Sequence, residues 1–262
     1  MIFLLAFLFA QTGSFATVNG LHMYYEIHGA GQPLVLIHGG GSTIQTSFGR
    51  ILPALTKDHE VIAVELQAHG HSDNRDGRPT TFEQDADDVA ALLQRLHIGK
   101  ADIFGFSNGG TTAFQIAIRH PELVRRLVIA SSMYKRGGSP PAFWAGFAHA
   151  TLDQMPKVYQ EAFLKIRPDS SALQTMFEQD RQRMEHFKDI PDSVIASIQA
   201  PALIMMGDKD VITPEHAVEM YRRLPHARLA IFPGGHGAYI GEVMSGDAAP
   251  ALPVIEEFLN AQ

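Results

Sequence analysis

The stretch Ala101-Asp102-Ile103-Phe104-Gly105-Phe106-Ser107-Asn108-Gly109-Gly110-Thr111-Thr112-Ala113-Phe114-Gln115-Ile116-Ala117 decides the fold. Its middle, Gly105-Phe106-Ser107-Asn108-Gly109, matches G-x-S-x-G and sits where an apolar run meets a segment of helical pattern. A serine on a strand-to-helix turn is forced to point its hydroxyl out of the chain, and only small residues two positions to either side let the backbone bend that sharply. The segment reads as a nucleophile elbow. Two glycines around a serine also arise by chance, so the surroundings carry the weight.

Upstream, Leu34-Val35-Leu36-Ile37 is a buried-strand run ending in His38-Gly39-Gly40-Gly41, a loop nearly without side chains whose backbone N–H groups can approach a ligand closely. Downstream, Ala202-Leu203-Ile204-Met205-Met206 ends in Gly207-Asp208-Lys209-Asp210, and Leu229-Ala230-Ile231-Phe232 ends in Pro233-Gly234-Gly235-His236-Gly237. Each candidate group therefore lies just past the C-terminal end of a strand, where open parallel sheets place their binding crevice. The order along the chain is Ser, Asp, His. From the residues alone, Asp208 and Asp210 both qualify as the acid, and either also suits a turn or a helix cap.

Four separated motifs in this order resemble the α/β-hydrolase superfamily, specifically its serine carboxylesterase and lactonase-like members with a modest helical cap, over roughly residues 17 to 260. The resemblance implies an α/β fold with a mostly parallel central sheet, helices on both faces and a cap insertion. It implies Ser107 as nucleophile, Asp210 as acid, His236 as base, and the backbone N–H groups of Gly40 and Asn108 as the oxyanion hole. One departure is visible. After Val61-Ile62-Ala63-Val64 the family usually shows an aspartate and then G-x-G-x-S, whereas this chain has Glu65-Leu66-Gln67-Ala68-His69-Gly70-His71-Ser72. That segment is a structural turn in the family. Ser107 also separates the chain from the haloalkane dehalogenase and epoxide hydrolase branches, which use aspartate at the elbow.

The chemistry asks for these residue types. A serine hydroxyl is a weak nucleophile at neutral pH, so an imidazole must take its proton and return it to the leaving group. With an unperturbed pKa of about 6.5, an imidazole is mostly neutral yet basic enough at physiological pH. An aspartate holds its tautomer and stabilises the imidazolium, and two fixed N–H donors stabilise the tetrahedral oxyanion. No cofactor and no metal is expected. His69-Gly70-His71 lacks a third ligand and reads as a turn, His38 reads as structural with its ring bonded locally, and the triple glycine is not followed by the Lys-Ser/Thr of a phosphate loop.

Length and composition are consistent with one core domain carrying an insertion: 262 residues, 45% hydrophobic and 19% charged. A net charge of −7 without a Lys/Arg run argues against nucleic acid or an anionic membrane surface as partner. The absence of cysteine rules out disulfides, thiolate metal sites and a cysteine nucleophile. The apolar stretch Ile2-Phe3-Leu4-Leu5-Ala6-Phe7-Leu8-Phe9-Ala10, followed by Gln11-Thr12-Gly13-Ser14-Phe15-Ala16, resembles a secretory signal with cleavage after Ala10 or Ala16. Export is the expectation for residues 1–16, and a packed N-terminal segment on a cytoplasmic protein is the alternative. The stretch is too short to span a bilayer as a helix.

A hairpin is expected over 17–28, turning at Asn19-Gly20, a dipeptide that tolerates the positive φ of a tight turn. Beyond it, short strands alternate with amphipathic helices, such as Asp85 to Leu96 with Val89, Leu92, Leu93 and Leu96 on one face; this alternation implies parallel strands covered on both sides. About 68 residues separate the strand ending near Ser132 from the one beginning at Ala202, far more than a βα connection needs. The expected division is a core of 17–132 and 201–262 with a helical cap of 133–200. Most of the cap's aromatic and methionine side chains are expected to pack the cap onto the core. Gly41 and the cap residues Trp144, Phe147 and Tyr159 are the expected pocket residues.

The expected function is hydrolysis of small to medium carboxylic esters, aryl esters and lactones included, through an acyl-enzyme. The same triad would serve carbon–carbon, proline-amide or perhydrolase chemistry, and a hydrolase-fold receptor without turnover is the reading from another class. The expected partner is a small-molecule ester; the sequence does not set the oligomeric state.

Overall fold

Asn19 and Gly20 both take left-handed backbone angles, with φ of 47° and 80°. They turn strand β1 (Ser14–Val18) into strand β2 (Leu21–His28) as the expected tight hairpin. The computed structural model describes residues 13–261 other than 76 and 247. The apolar stretch 2–10 lies outside the described residues. Ser14, Phe15 and Ala16 pair with Tyr25, Tyr24 and Met23. The core therefore begins three residues before the expected boundary at 17, because backbone pairing recruits residues that composition alone assigns to a cleavage zone.

After the hairpin come β3 (Gln32–Ile37), α1 (Ile44–Phe48), α2 (Leu52–Leu55), β4 (His59–Val64), α3 (Phe82–Arg95), β5 (Ala101–Phe106), α4 (Asn108–Arg119) and β6 (Val124–Ala130). The insertion carries α5 (Pro141–Phe147), α6 (Lys157–Ile166), α7 (Ser170–Glu185) and α8 (Asp192–Ala196). The chain closes with β7 (Ala202–Gly207), α9 (Pro214–Arg223), β8 (Ala227–Phe232) and α10 (Leu252–Asn260). Strand order is β1-β2-β4-β3-β5-β6-β7-β8, antiparallel at β1/β2 and β2/β4 and parallel elsewhere.

Successive side chains of a strand face opposite sides of the sheet, so a strand covered on both sides reads as an unbroken apolar run. Val35, Ile37, Ile103 and Ile129 pack with Val89 and Leu92 of α3 and Phe114 of α4. Their neighbours Leu34, Leu36, Phe104 and Val128 pack on the other face with Phe48 of α1 and Phe258 of α10. The chain leaves β3 for β4 on one side and returns to β5 on the other, so the ends of β3 and β5 form a topological switch point. That crevice lies beneath the insertion.

The insertion has a small core of its own, in which Phe163 of α6 meets Leu173 and Met176 of α7. Other insertion residues join the main core, among them Trp144 of α5, Met184 of α7 and Ile195 of α8, and α8 packs against α4 and α9. Among the described residues no helix is long and apolar enough to cross a membrane.

Candidate active site

Strand β5 delivers Ser107 into a backbone conformation that few side chains adopt, φ 54° and ψ −121°. The turn closes because its flanking residues have no Cβ: one on Gly105 would stand 2.1 Å from Gly109 O, and one on Gly109 would stand 2.1 Å from Ile37 O. Ser107 N–H donates to Ala130 O at 2.8 Å, which anchors the turn to the end of β6. Strain of this kind persists only where the surroundings hold it.

His236 follows β8 and lies with its Nε2 3.0 Å from Ser107 Oγ and its Nδ1 2.7 Å from Asp210 Oδ1. The neutral tautomer consistent with this is Nδ1–H donating to the carboxylate, with Nε2 free to accept the serine proton. Asp208, the other candidate acid, instead accepts the N–H of Gly234 at 2.8 Å and shapes the loop that carries His236. The Asp210 carboxylate is fully buried, whereas the His236 side chain is 31% exposed. Burial alone would raise the Asp210 pKa, but His236, the Ser131 hydroxyl and the Ile212 N–H outweigh it and hold the carboxyl below its ordinary range.

Ser131, which sequence reasoning missed, donates from Oγ to Asp210 Oδ2 at 2.5 Å. Its own Oγ lies 2.8 Å from the buried Tyr239 hydroxyl. The signal was present: Ser131 directly follows β6, as Ser107 follows β5, His38 follows β3 and Asp208 follows β7.

Among the described residues, no acceptor within the protein engages the backbone N–H of Gly40 or of Asn108. Both residues line the same cavity as Ser107 and His236. Two unengaged N–H groups lining the same cavity as the Ser107 hydroxyl, one of them at the N-terminus of a helix, favour negative charge between them. His38, just ahead of these glycines, accepts from Leu66 N–H through Nε2 at 3.0 Å and donates through Nδ1 to Gly39 O at 2.7 Å. Burial, helped by the nearby His69, pushes its pKa down to about 3, so the ring is neutral.

The cavity holds about 380 Å³ and is walled mainly by apolar side chains, including Met133, Phe143, Phe147, Met176 and Phe187. Of the expected pocket residues, Gly41, Phe147 and Tyr159 line it. Trp144 does not. Its indole N–H donates to Arg136 O at 2.7 Å, and its ring packs behind the wall against Phe143, Phe147 and Phe187. An aromatic residue on an amphipathic helix is bound to be buried, but the sequence does not say whether a cavity or a core buries it. Tyr159 ties the cap to the core, its hydroxyl donating to the buried Glu242 at 2.6 Å. The turn 65–72 is held by a polar contact of its own and by one from the cap: His71 pairs with Glu65 at 2.8 Å, and His69 pairs with Asp180 of α7 at 2.9 Å. Ala68, where the family usually has glycine, takes φ 67°.

A fold of this topology, with a serine on a strained strand-to-helix turn facing a histidine, belongs to the α/β-hydrolase fold family, whose model matches residues 32–185 of this chain. The protein is an enzyme of the serine hydrolase type. The chain is 28% identical over 253 residues to the human serine hydrolase BPHL, covering 88% of this chain and 81% of that protein. It is 30% identical over 220 residues to a pimeloyl-[acyl-carrier protein] methyl ester esterase of Neisseria meningitidis, covering 75% and 68%. Among solved structures, a meta-cleavage product hydrolase from Pseudomonas fluorescens superposes with a TM-score of 0.79 at 22% identity over 95% of this chain and 97% of that one, a likeness of fold.

Proposed function

We propose that the protein hydrolyses small to medium carboxylic esters, aryl esters and lactones included, through an acyl-enzyme on Ser107. The observation that carries this reading is the continuous hydrogen-bonded line from Ser107 Oγ through His236 to Asp210, at 3.0 and 2.7 Å. Ser107 Oγ attacks the ester carbonyl carbon while His236 Nε2 takes its proton. The carbonyl oxygen, now negative, accepts from Gly40 and Asn108 N–H, each donor contributing on the order of 3 kcal/mol. Collapse expels the alkoxide, to which His236 returns the proton, and a water activated by the same imidazole then frees the acid and restores Ser107. Asp210 stays ionised throughout and holds the Nδ1–H tautomer.

The substrate class follows from the cavity. A volume of about 380 Å³ lies at the lower end of small-molecule sites. Its walls are mainly apolar, with Ser107, Asn108, Ser131 and His236 among the polar groups that line it, an arrangement suited to a short or medium acyl or aryl group. A fluorophosphonate probe followed by a nitrophenyl ester series from acetate to decanoate tests the proposal. Stoichiometric labelling of Ser107 and an efficiency peak at short or medium chains are expected. Labelling without turnover of any ester would move the reading to the other acyl-type reactions this triad can serve, and a preference for chains beyond about ten carbons would overturn the pocket assignment.

A further inference from the structure

The cap and the glycine loop are joined by a buried line of charge. Asp180 of α7 lines the cavity, and its Oδ2 accepts the N–H of Gly41 at 2.5 Å and lies 2.9 Å from His69 Nε2. Its other oxygen is held by Arg183, whose guanidinium also meets Asp85 Oδ2 on α3 at 2.5 Å. His69 Nδ1 faces Gln67 O at 2.9 Å, so both ring nitrogens face acceptors and the ring carries both protons. It follows that His69 Nε2 has no lone pair for Gly41 N–H, which is left to Asp180 alone. Two anions and two cations alternate from Asp85 through Arg183 and Asp180 to His69.

Four buried charges are a poor way to gain stability, because desolvation offsets most of their attraction. Their place explains them better. Three consecutive glycines are the segment of the chain freest to adopt wrong conformations, and here the peptides are pinned from outside. His38 holds Gly39 O, which orients the Gly39–Gly40 peptide, and Asp180 holds Gly41 N–H, which orients the next one. Gly40 itself is pressed between the cap and the elbow: a Cβ there would lie 3.0 Å from Asp180 Oδ2 and 2.4 Å from Asn108 Nδ2.

We propose that Asp180 is a positioning residue for the oxyanion site, a cap carboxylate that fixes the Gly40–Gly41 peptide and packs against the Gly40 Cα, and so limits rotation of the adjoining Gly39–Gly40 peptide, whose N–H meets the developing oxyanion. This rests on the acyl-transfer reading above. His69 and Arg183 are the counter-charges that let Asp180 remain ionised inside the protein.

The test uses the full-length protein with Asp180→Asn, and with Asp180→Leu combined with Arg183→Leu, which removes the acceptor without stranding Arg183. Active sites are titrated with a fluorophosphonate so that rates refer to competent enzyme. Affinity is then measured for a trifluoromethyl ketone, which forms a tetrahedral adduct with Ser107, and for the matching methyl ketone, which stays trigonal. We expect kcat to fall roughly 10- to 100-fold in the double variant with KM changed far less, as for a small displacement of a catalytic donor, and to fall less in Asp180→Asn, whose amide oxygen can still accept from Gly41 N–H. Trifluoromethyl ketone affinity should fall in step with kcat while methyl ketone affinity holds. Glu257→Gln, which disturbs only the exposed ion pair of α10 with Arg228, should leave the ratio of the two affinities unchanged. An unchanged ratio in both Asp180 variants overturns the inference while the acyl-transfer reading stands; a parent protein that the probe does not label overturns both.

Discussion

Ser131 grips the oxygen of Asp210 that His236 leaves free: Oδ1 receives the imidazole N–H and Oδ2 the hydroxyl of Ser131, at 2.7 and 2.5 Å. The Asp210 carboxylate is thereby held from two sides. A hydrogen bond to a charged group contributes about 1.5–3 kcal/mol, and part of that keeps the carboxylate turned toward the ring. Ser131→Ala should lower kcat by roughly tenfold or more with KM little changed. Steady-state kinetics on a nitrophenyl ester decides it, and an unaltered kcat would mean that Asp210 needs no second support.

The two aspartates after β7 have different partners. Asp210 meets His236, whereas Asp208 meets a backbone N–H of the loop that carries it. Asp210→Asn should cost on the order of 10³–10⁴ in kcat, because the amide favours the wrong imidazole tautomer. Asp208→Asn keeps an acceptor for Gly234 and should cost far less. The reverse ranking would move the acid to position 208.

Phe147 forms part of the cavity wall and Trp144 lies behind it. Phe147→Ala should therefore shift the preferred acyl chain to greater length. Trp144→Phe should lower the unfolding midpoint while leaving that preference where it was, since a buried ring makes contacts that a smaller one only partly replaces. The ester series measured on both variants distinguishes them; a chain-length shift in the Trp144 variant alone would place the wall elsewhere.

His69 is held charged. Burial opposes its proton, but the neighbouring Asp180 prevails and raises its pKa above the ordinary imidazole value. A folded-state pKa above that of the unfolded chain gives stabilisation that is complete below about pH 6.5 and is lost as pH rises through the folded value. The difference in unfolding free energy between the parent and His69→Gln should thus be largest near about pH 6 and shrink as the pH rises above the ordinary imidazole range. Urea unfolding at several pH values measures it. A difference independent of pH would mean that the ring is neutral.

Export through the apolar stretch 2–10 is proposed from the sequence, and β1 limits where the leader can be cut. Cleavage after Ala10 leaves β1 whole. Cleavage after Ala16 would remove three of its five residues, among them the buried Ala16. Intact mass of protein recovered outside the bacterial cytoplasm should correspond to a chain beginning at Gln11. A chain beginning at Met1 would count against export, and one beginning at Thr17 would show that the sheet tolerates losing most of that strand.

What could be read from the sequence is what the chain writes locally. Sheet strands buried on both faces appear as apolar runs, and the elbow appears as glycines because no Cβ fits at Gly105 or Gly109. Ser107, Asp210 and His236 each follow a run of this kind, so strand ends alone brought them to one crevice. Asp180 and His69, by contrast, meet across 111 residues of sequence. Asp180 is one acid among several on α7, and nothing near it in the chain marks it as the one that turns inward. Trp144 failed for another reason: periodicity reports that a side chain is buried, never by what. Ile195 and Ile198 lie in the main core although they fall in the same connection between β6 and β7 as the rest of the insertion, which position along the chain does not reveal.

The line of charge from Asp85 to His69 also bears on exchange of parts. A cap taken from another hydrolase and spliced between residues 132 and 201 would bring its own walls for the cavity, yet would leave the host's His69 and Asp85 facing groups they were not matched to. Half of an electrically neutral unit sits on either side of each splice. For this protein the smallest transplantable piece is consequently not the insertion alone but the insertion together with positions 69 and 85, and libraries that shuffle the cap while holding those two fixed will mostly sample proteins with a stranded charge beside the glycine loop.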